Sequence, residues 1–289
     1  MNALMEESMS VKKYIKKCIN LLTSKQIKPV LINVQKNSIL NERVALITGG
    51  SSGIGLSIAK AFLRSGATVV ITGRNKEKLE KIAKVLDEDY NNSIFSFQMD
   101  NSSVSSMKGV FDTIENQIGK KIDILVNNAG ISCHTSFLKI TEEDYDDVLN
   151  INLKAMVFLS QEFANYMIRN RIKGNILNIG SSSGLRPANT PYTIAKWGVR
   201  GFTLGIAKQL IKYDIVVNGI APGPTATPML TQNTDNLAGP KNDSKRYIHT
   251  EEISNMAVQL VSNSCRMIIG EMININGGSG TLTFDDIEY

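Results

Sequence analysis

The stretch Thr48–Gly55, TGGSSGIG, joins a short apolar run, RVALI, to a segment whose apolar residues have helical spacing, LSIAKAFLRSG. A glycine-rich turn between a strand and a helix is typical of dinucleotide sites, where phosphates meet the free N–H groups of the helix N-terminus. Gly49 would permit the tight turn, Gly53 the approach of a pyrophosphate, and Gly55 close packing of helix on strand. The pattern predicts cofactor contacts at Gly49, Ser51, Ser52, Gly53, Ile54 and Gly55. A glycine-serine loop without a ligand is the alternative, because isolated glycine motifs also arise by chance.

Beyond this stretch, short β-branched runs alternate with longer helical segments. Such alternation is typical of βαβ units, which build a parallel sheet covered by helices on both faces. We therefore predict an α/β fold, a Rossmann-like doubly wound sheet of seven parallel strands with ligands at the carboxyl ends of the strands. The predicted strands cover 44–47, 68–71, 93–97, 123–126, 175–179, 215–218 and 272–276.

The positive charge of the chain lies in an N-terminal extension. Residues 1–43 hold eight basic and three acidic residues, which accounts for the whole net charge of +5. The remainder is neutral, so the basic balance gives no reason to expect nucleic-acid binding. We predict two parts, a basic extension over 1–40 and a dinucleotide-binding catalytic domain over 41–289. The extension should form an amphipathic helix within 4–22 and a short strand; an arm on protein, a membrane-surface contact and a disordered leader are its possible roles.

The cysteines Cys18, Cys133 and Cys265 are far apart and form no CxxC pair. This spacing favours a cytoplasmic protein without disulfides. The two histidines complete no metal-ligand pattern with the cysteines, so we expect no metal site. We also expect no membrane span and no secretory signal, because no apolar run is long enough and no apolar leader region is visible.

Arg74 follows the second predicted strand, in VVITGRN. Sites selective for NAD place an acid near this position to bind the ribose 2′-hydroxyl, whereas a guanidinium can pair with the 2′-phosphate of NADP. Since no carboxylate is present there, the sequence favours NADP(H) over NAD(H). A solvated surface arginine is the alternative interpretation.

Tyr192 and Lys196 lie four residues apart in PYTIAKWG, which reads as the start of a helix. Residues with this spacing share a helical face, so phenol and ammonium can project into one site. A nearby cation favours the phenolate and would lower the tyrosine pKa toward the range useful for acid–base catalysis. Such pairs also occur by chance, and a half-buried tyrosine beside a surface lysine is the alternative.

Taken together, these segments resemble the short-chain dehydrogenase/reductase family in its single-domain form, over about residues 42–280. The resemblance implies an NAD(P)(H)-dependent oxidoreductase that acts on a carbonyl or secondary alcohol and forms a homodimer or homotetramer. The motifs that carry it, in the order of the family, are TGGSSGIG, Asp100 after the third strand, NNAG at 127–130, NINL at 150–153, IGSSSG at 179–184, YTIAK at 192–196, APGPTAT at 221–227 and GEMININGG at 270–278.

The resemblance also implies roles for individual residues. Tyr192 matches the catalytic acid/base, and Lys196 the residue that lowers its pKa and binds the nicotinamide ribose. Ser181 matches the serine that orients the substrate oxygen, Asn152 the asparagine that holds a water beside the lysine, and Asp100 the adenine contact. Two loops match the remaining cofactor contacts: Asn128, Ala129 and Gly130 beside the adenosine ribose, and Pro222, Gly223, Thr225 and Thr227 beside the nicotinamide carboxamide.

Ser181 departs from the family pattern in one respect. It lies eleven residues before Tyr192, a shorter spacing than the family usually shows. If the backbone compensates, Ser181 still reaches the site. Otherwise its place would fall to Gly180, which has no hydroxyl.

The sequence specifies the substrate only loosely, as a 3-oxoacyl thioester, a keto-sugar or another ketone. Cys133 and His134 follow the fourth strand and are either part of the substrate wall or ordinary loop residues. Residues 228–250 read as a flexible lid, and its cations, if they are not simply solvated, would favour an anionic substrate: Lys241, Lys245 and Arg246. A non-catalytic dinucleotide sensor or scaffold is the alternative function, although a pure binding module would not need all four catalytic residues.

Overall fold

The computed structural model describes residues 37–133, 135–231 and 244–279. The chain divides into two units, Met1–Leu31 and Ile32–Tyr289, and every residue described below belongs to the second. The helix predicted within 4–22 and the strand after it lie outside the described residues. In the described ranges, no helix is both long and apolar enough to cross a membrane.

Seven strands form one sheet in the order β3-β2-β1-β4-β5-β6-β7, and each neighbouring pair is parallel. This confirms the predicted Rossmann-like, doubly wound α/β fold. The strands are β1 (Val44–Thr48), β2 (Thr68–Gly73), β3 (Ile94–Gln98), β4 (Ile124–Asn127), β5 (Gly174–Ile179), β6 (Ile215–Pro222) and β7 (Met272–Ile275).

Helices connect the strands and cover both faces of the sheet. A π-helical turn, Asn150–Lys154, joins the fourth and fifth helices. The described helices are α1 (Gly53–Arg64), α2 (Lys76–Tyr90), α3 (Val110–Ile118), α4 (Glu142–Leu149), α5 (Ala155–Asn170), α6 (Pro191–Leu210) and α7 (Thr250–Val261).

Strand β1 shows how the sheet builds a core on each face. Ala45 and Ile47 point to one face, where they join a cluster with residues of α1, α2 and α7. Val44 and Leu46 point to the other face, toward residues of α3 and α5. Because successive strand side chains alternate between faces, a strand buried on both reads as a continuous apolar run, which is why the sequence located the strands.

Arg43 fastens the amino-terminal edge of the sheet. Its guanidinium pairs with Asp123, which precedes β4, and donates to Asn175 Oδ1 of β5 at 2.7 Å and to the Val261 carbonyl at the end of α7 at 2.9 Å. Asp123 also accepts the Val44 N–H at 2.8 Å. Burial raises the pKa of Asp123, although the Arg43 charge and these hydrogen bonds oppose that shift.

The order of strands creates a crevice at the opposite edge. The chain passes from β1 through β2 to β3 on one side and then crosses back to β4 on the other. Loops leaving the carboxyl ends of β1 and β4 therefore diverge, and the space between them is where open α/β sheets bind ligands.

Candidate active site

A cleft of about 310 Å³ lies at the carboxyl ends of the strands. Its described walls come from the loops after β1 to β6, the π-helical turn and the first turns of α6. It gathers thirteen residues that the sequence predicted for the site: Gly49, Ser51, Ser52, Gly53, Ile54, Arg74, Asp100, Asn128, Ala129, Gly130, Tyr192, Lys196 and Thr227.

The glycine loop has a backbone that other residues would strain. Gly49 and Gly53 have φ angles of +64° and +54°, in the left-handed region that favours glycine. Gly55 is different, because it is not among the described residues of the cleft wall. A Cβ there would lie 2.5 Å from the Gly49 carbonyl oxygen and 2.4 Å from Asn128 Nδ2, so Gly55 allows α1 to pack against the loop.

The N-terminus of α1 faces the cleft without a side-chain cap. Ser52, its N-cap, accepts no backbone N–H, and the first turn contains no acidic residue. Helices α2, α4 and α6 instead begin with Asn75, Thr141 and Thr190, whose side chains each accept a backbone N–H. Free N–H groups and the positive end of the helix dipole fit an anionic group such as the diphosphate of a dinucleotide.

Thr48 and Asn128 tie the glycine loop to the end of β4. The buried Thr48 hydroxyl accepts the N–H groups of Asn128 and Ala129 at 2.9 and 3.0 Å. The Asn128 amide donates to the Thr48 carbonyl at 2.9 Å and weakly to Gly49. Asn128 thus holds the two loops at the crevice together, and sequence reasoning missed the part that Thr48 plays.

Arg74 and Asp100 occupy the end of the cleft formed by β2 and β3. The exposed guanidinium of Arg74 has no ion-pair partner among the described residues. The Asp100 carboxylate accepts the N–H and hydroxyl of Ser102, both at 2.9 Å, which lowers its pKa, and the Arg74 charge lowers it further. This end therefore offers a free cation and a carboxylate that stays ionised.

Tyr192 and Lys196 line the other end of the cleft, and Ser181 lies beside Tyr192 but is not among the described residues of the cleft wall. The Ser181 hydroxyl lies near enough to the Tyr192 phenol to lower its pKa. Lys196 Nζ lies 5.6 Å from the centre of the Tyr192 ring and donates to the Ile179 carbonyl at 3.0 Å. The shortened loop therefore still brings the serine to the tyrosine, and Gly180 is not needed in its place.

Burial and a neighbouring hydroxyl shift the pKa of Tyr192 in opposite directions, and the predicted lowering of that pKa by Lys196 stays a prediction. Burial raises the pKa of Tyr192, and the Ser181 hydroxyl opposes that shift. The Lys196 ammonium donates to the Ile179 carbonyl. Burial also lowers the pKa of Lys196 itself to about 8.

A capping box fixes the start of α6. The Thr190 side chain accepts the Thr193 N–H at 3.2 Å, and the Thr193 hydroxyl accepts the Thr190 N–H at 3.0 Å. Pro191 occupies the first helical turn, where its missing N–H costs nothing. Tyr192 therefore stands in the first turn of α6 and Lys196 one turn later, on the same face.

Asn152 lies buried in the π-helical turn between α4 and α5. Its amide oxygen accepts the Ile131 N–H and its amide nitrogen donates to the Ile131 carbonyl, both at 2.7 Å. The side chain thus binds the loop after β4 as a neighbouring strand would. π-Helical turns frequently mark functional sites, a signal the sequence does not carry.

The loop after β6 folds back over the glycine loop. Ala226 N–H donates to the Ile248 carbonyl at 3.0 Å, and Ile248 N–H to the Pro224 carbonyl at 2.9 Å. Thr227 approaches Gly53, where a Cβ would lie 3.3 Å from Thr227 Cγ2. The predicted residues Pro222, Gly223 and Thr225 support this loop and are not among the described residues of the cleft wall.

Other predicted residues contribute less to the described cleft. Arg246 is bound to Glu252 through two contacts of 2.7 Å and so is not free for an anionic substrate. The Cys133 thiol donates to the Thr135 hydroxyl at 3.4 Å. His134 and Lys241 lie outside the described residues, and Lys245 is exposed.

Sequence reasoning missed several residues of the cleft wall. Most follow the end of a strand, which is the one signal that could have found them. They are Gly73, Met99, Asn101, Ser102, Ile131, Ile151, Ile179 and Gly180, whereas Pro228 and Met229 of the cleft wall belong to the predicted segment 228–250.

Comparison with known proteins places this architecture among characterised oxidoreductases. Residues 43–238 match the short chain dehydrogenase family. A 3-oxoacyl-acyl-carrier-protein reductase of Thermotoga maritima is 34% identical over 244 residues, 83% of this chain and 98% of the relative. A gluconate 5-dehydrogenase of Gluconobacter oxydans is 35% identical over 246 residues, 81% of this chain and 93% of the relative. The solved gluconate 5-dehydrogenase of Burkholderia cenocepacia, in complex with NADP and tartrate, is 29% identical with a TM-score of 0.78, covering 86% of this chain and 99% of that one.

Proposed function

Because the chain belongs to the short-chain dehydrogenase family and is thus an NAD(P)-dependent oxidoreductase acting on CH–OH groups, we propose that it interconverts a ketone and a secondary alcohol with NADP(H), using Tyr192 as acid/base. The observation that carries this proposal is the proximity of Tyr192 to the Ser181 hydroxyl and to buried Lys196, at a cleft that begins at a glycine loop. The comparisons support the reaction class.

Ser181 and Tyr192 act on the substrate oxygen. In the reductive direction both hydroxyls donate to the carbonyl oxygen, where negative charge develops, and Tyr192 delivers the proton. The raised pKa of Tyr192 keeps the phenol protonated at neutral pH, as a proton donor must be. The dinucleotide supplies the hydride when bound.

The remaining residues of the site bind the cofactor or support the loops that contact it. The N-terminus of α1 would hold the diphosphate, Asp100 the adenine, and Lys196 the nicotinamide ribose. Asn152 positions the loop after β4 through Ile131, and Gly55 acts through packing. The further proposed cofactor contacts are the loops with Asn128, Ala129 and Gly130 and with Pro222, Gly223, Thr225 and Thr227.

Arg74 supports the preference for NADP(H). Its free guanidinium lies at the cleft end beside Asp100, where a 2′-phosphate would pair with it. Arg74→Ala should raise KM for NADPH about tenfold or more, the effect of one charge-assisted hydrogen bond, and leave KM for NADH within about twofold. Lys84→Ala, an exposed change on α2, is the matched control. Equal effects of Arg74→Ala on both cofactors would contradict the preference.

The test of the function is NADPH oxidation against a panel of 3-oxoacyl thioesters, keto-sugars and cyclic ketones. Relatives named as 3-oxoacyl-acyl-carrier-protein reductase and gluconate 5-dehydrogenase support these classes. We expect turnover of at least one class, abolished in Tyr192→Phe. A cytoplasmic location, predicted from the cysteines, stays a prediction.

One face of α6 supports a homodimer or homotetramer. Ile194, Trp197 and Leu204 are exposed at helical spacing. On the same helix a Cβ at Gly201 or Gly205 would meet nothing within 4 Å, which leaves room for the bulky side chains of a second copy. Leu204→Glu should shift the protein toward monomer in sedimentation velocity, whereas Val85→Glu, on exposed α2, should not. An unchanged sedimentation coefficient for Leu204→Glu would contradict this interface.

A further inference from the structure

We propose that the substrate carries its ketone on an apolar chain, which binds between two apolar lips at the mouth of the cleft. The β4 lip is Phe137 and Leu138, in the turn that follows the loop after β4. The β6 lip is Met229 and Leu230, which follow Thr227 and Pro228 of the cleft wall. The inference rests on the proposed function and names the substrate class of that site.

The lips expose large apolar side chains to water, which is unfavourable for the free protein. Phe137 and Leu138 are 68% and 91% exposed, and Met229 and Leu230 are 51% and 46% exposed. Neighbouring exposed apolar residues beside a cleft are typical of a binding surface, whereas scattered single ones are ordinary. Both lips therefore have surface to bury on an apolar ligand.

The topology places the lips on either side of the reacting groups. Strand β5, which leads into Ser181, lies between β4 and β6 in the sheet. Since neighbouring strands are about 4.8 Å apart, the loops that lead to the two lips leave β4 and β6 roughly 10 Å from one another, on either side of the loop that carries Ser181. A ketone held by Ser181 and Tyr192 would direct its chain outward between them.

Local contacts hold each lip in place. The Thr135 hydroxyl donates to Asp144 Oδ2 of α4 at 3.2 Å, just before the β4 lip. The Leu230 N–H donates to the Thr227 carbonyl at 2.9 Å, so the β6 lip is a turn that begins at the cleft wall. A site of this kind needs little ordering when its ligand binds.

The charges in the cleft favour a neutral chain over a small keto acid. Among the described residues of its wall, the cations are Arg74 and Lys196. Arg74 lies at the far end, beside Asp100, and Lys196 donates to the Ile179 carbonyl. Lys139 ends the turn of the β4 lip but is exposed and outside this wall. The described wall also contains the apolar residues Ile131, Ile151 and Ile179.

The test measures kcat/KM with NADPH for 3-oxoacyl N-acetylcysteamine thioesters of four, eight and twelve carbons and for 5-ketogluconate. Wild type should gain about two- to fourfold per methylene that the lips bury and should reduce 5-ketogluconate poorly. Leu138→Ser and Leu230→Ser should each lower kcat/KM about tenfold for the twelve-carbon thioester and much less for the four-carbon one. Met267→Ser is the matched control, because Met267 is 89% exposed before β7 and outside the described cleft wall.

Calorimetry on the protein with NADP⁺ gives a readout independent of turnover. Binding of 3-hydroxyacyl thioesters should show a heat-capacity change that becomes more negative with chain length, as burial of apolar surface requires. The slope should fall in Leu138→Ser and Leu230→Ser and not in Met267→Ser.

Three results would overturn the inference. The first is a kcat/KM that does not rise with chain length, the second a preference for 5-ketogluconate, and the third lip variants that behave like Met267→Ser. Each would exclude the lips from substrate binding and leave the proposed ketone reductase function intact. Failure to reduce any carbonyl in the wider panel would overturn the proposed function and this inference together.

Discussion

The polar groups at the two edges of the sheet differ in whether they have partners within the fold. At the amino-terminal edge, the Arg43 guanidinium donates hydrogen bonds to the side chains of Asp123 and Asn175 and to a carbonyl at the end of α7. Asp123 also accepts a strand N–H. At the carboxyl-terminal edge, α1 begins without a side-chain cap and Arg74 has no ion-pair partner among the described residues. The amino-terminal edge uses its polar groups to join strands, whereas the carboxyl-terminal edge leaves the N-terminus of α1 and the Arg74 guanidinium free for ligands.

This difference teaches where substitutions should affect stability and where they should affect catalysis. Polar groups satisfied within the fold contribute to its free energy of unfolding, and breaking a buried pair is strongly destabilising. Free polar groups at strand ends contribute little to stability and can bind a ligand. The following predictions test this division.

The largest effect is expected at the carboxyl-terminal edge. Tyr192→Phe removes the proposed proton donor and should lower kcat at least ~10²-fold, the lower end of general acid–base catalysis. The midpoint of thermal unfolding should change little, because the ring remains. The matched control is Tyr213→Phe, which changes an exposed tyrosine just before β6, at the other edge.

Steady-state kinetics and thermal denaturation measure kcat and the unfolding midpoint of both variants. Near-normal turnover in Tyr192→Phe would remove the phenol from the reaction. A large loss in Tyr213→Phe would break the comparison instead, since that edge would then affect catalysis.

Arg43→Met should destabilise the protein by about 3 kcal/mol, because it leaves the Asp123 carboxylate buried without its cation. The folded-state pKa of Asp123, already raised by burial, should rise further. Stability is then recovered as the pH falls through that raised pKa, since the folded state holds the proton more tightly than the unfolded chain. Urea denaturation at several pH values measures this, and kcat should be unchanged.

Arg169→Met provides the control for this substitution. Arg169 pairs with Asp112 at 2.6 Å, but their side chains are 58% and 47% exposed, compared with 13% and 18% for Arg43 and Asp123. An exposed pair contributes at most about 1 kcal/mol. Equal losses in both variants would show that burial at the sheet edge does not set the cost.

The smallest effect concerns Lys196, whose pKa burial lowers to about 8. The unfolded chain then binds more protons than the folded one between this value and the ordinary lysine pKa, so wild-type stability gains from a rise in pH through that range. Lys196→Met lacks this gain. The difference in stability, wild type minus variant, should therefore increase from pH 8 to 10 in urea denaturation, with Lys120→Met as the control. A constant difference would contradict the burial of a charged Lys196.

The fold could be predicted because its signals are local. Strand β1 is apolar throughout since both of its faces are buried, and the turn after it needs glycine at Gly49 and Gly53. The pairing of Tyr192 and Lys196 could also be predicted from a local signal, because residues four apart lie on one face of a helix.

Contacts between distant parts of the chain could not be predicted. Arg43 meets Asp123 and Asn175 across 80 and 132 residues, and no local pattern links them. Nothing near Asn152 indicates that both ends of its amide bind Ile131. The hydrogen bond of the Lys196 ammonium to a carbonyl of β5 is likewise not visible in the local sequence.

Because the capping box at Thr190 and Thr193 fixes the start of α6, the orientation of the Tyr192 phenol does not depend on the length of the loop before it. Because helix phase is set at the cap, residues could be removed or added between Ser181 and Thr190 with little rotation of the tyrosine about the helix axis. Related chains can therefore differ in length at this point and keep the same chemistry, and a gap there in an alignment says little about whether an enzyme is active.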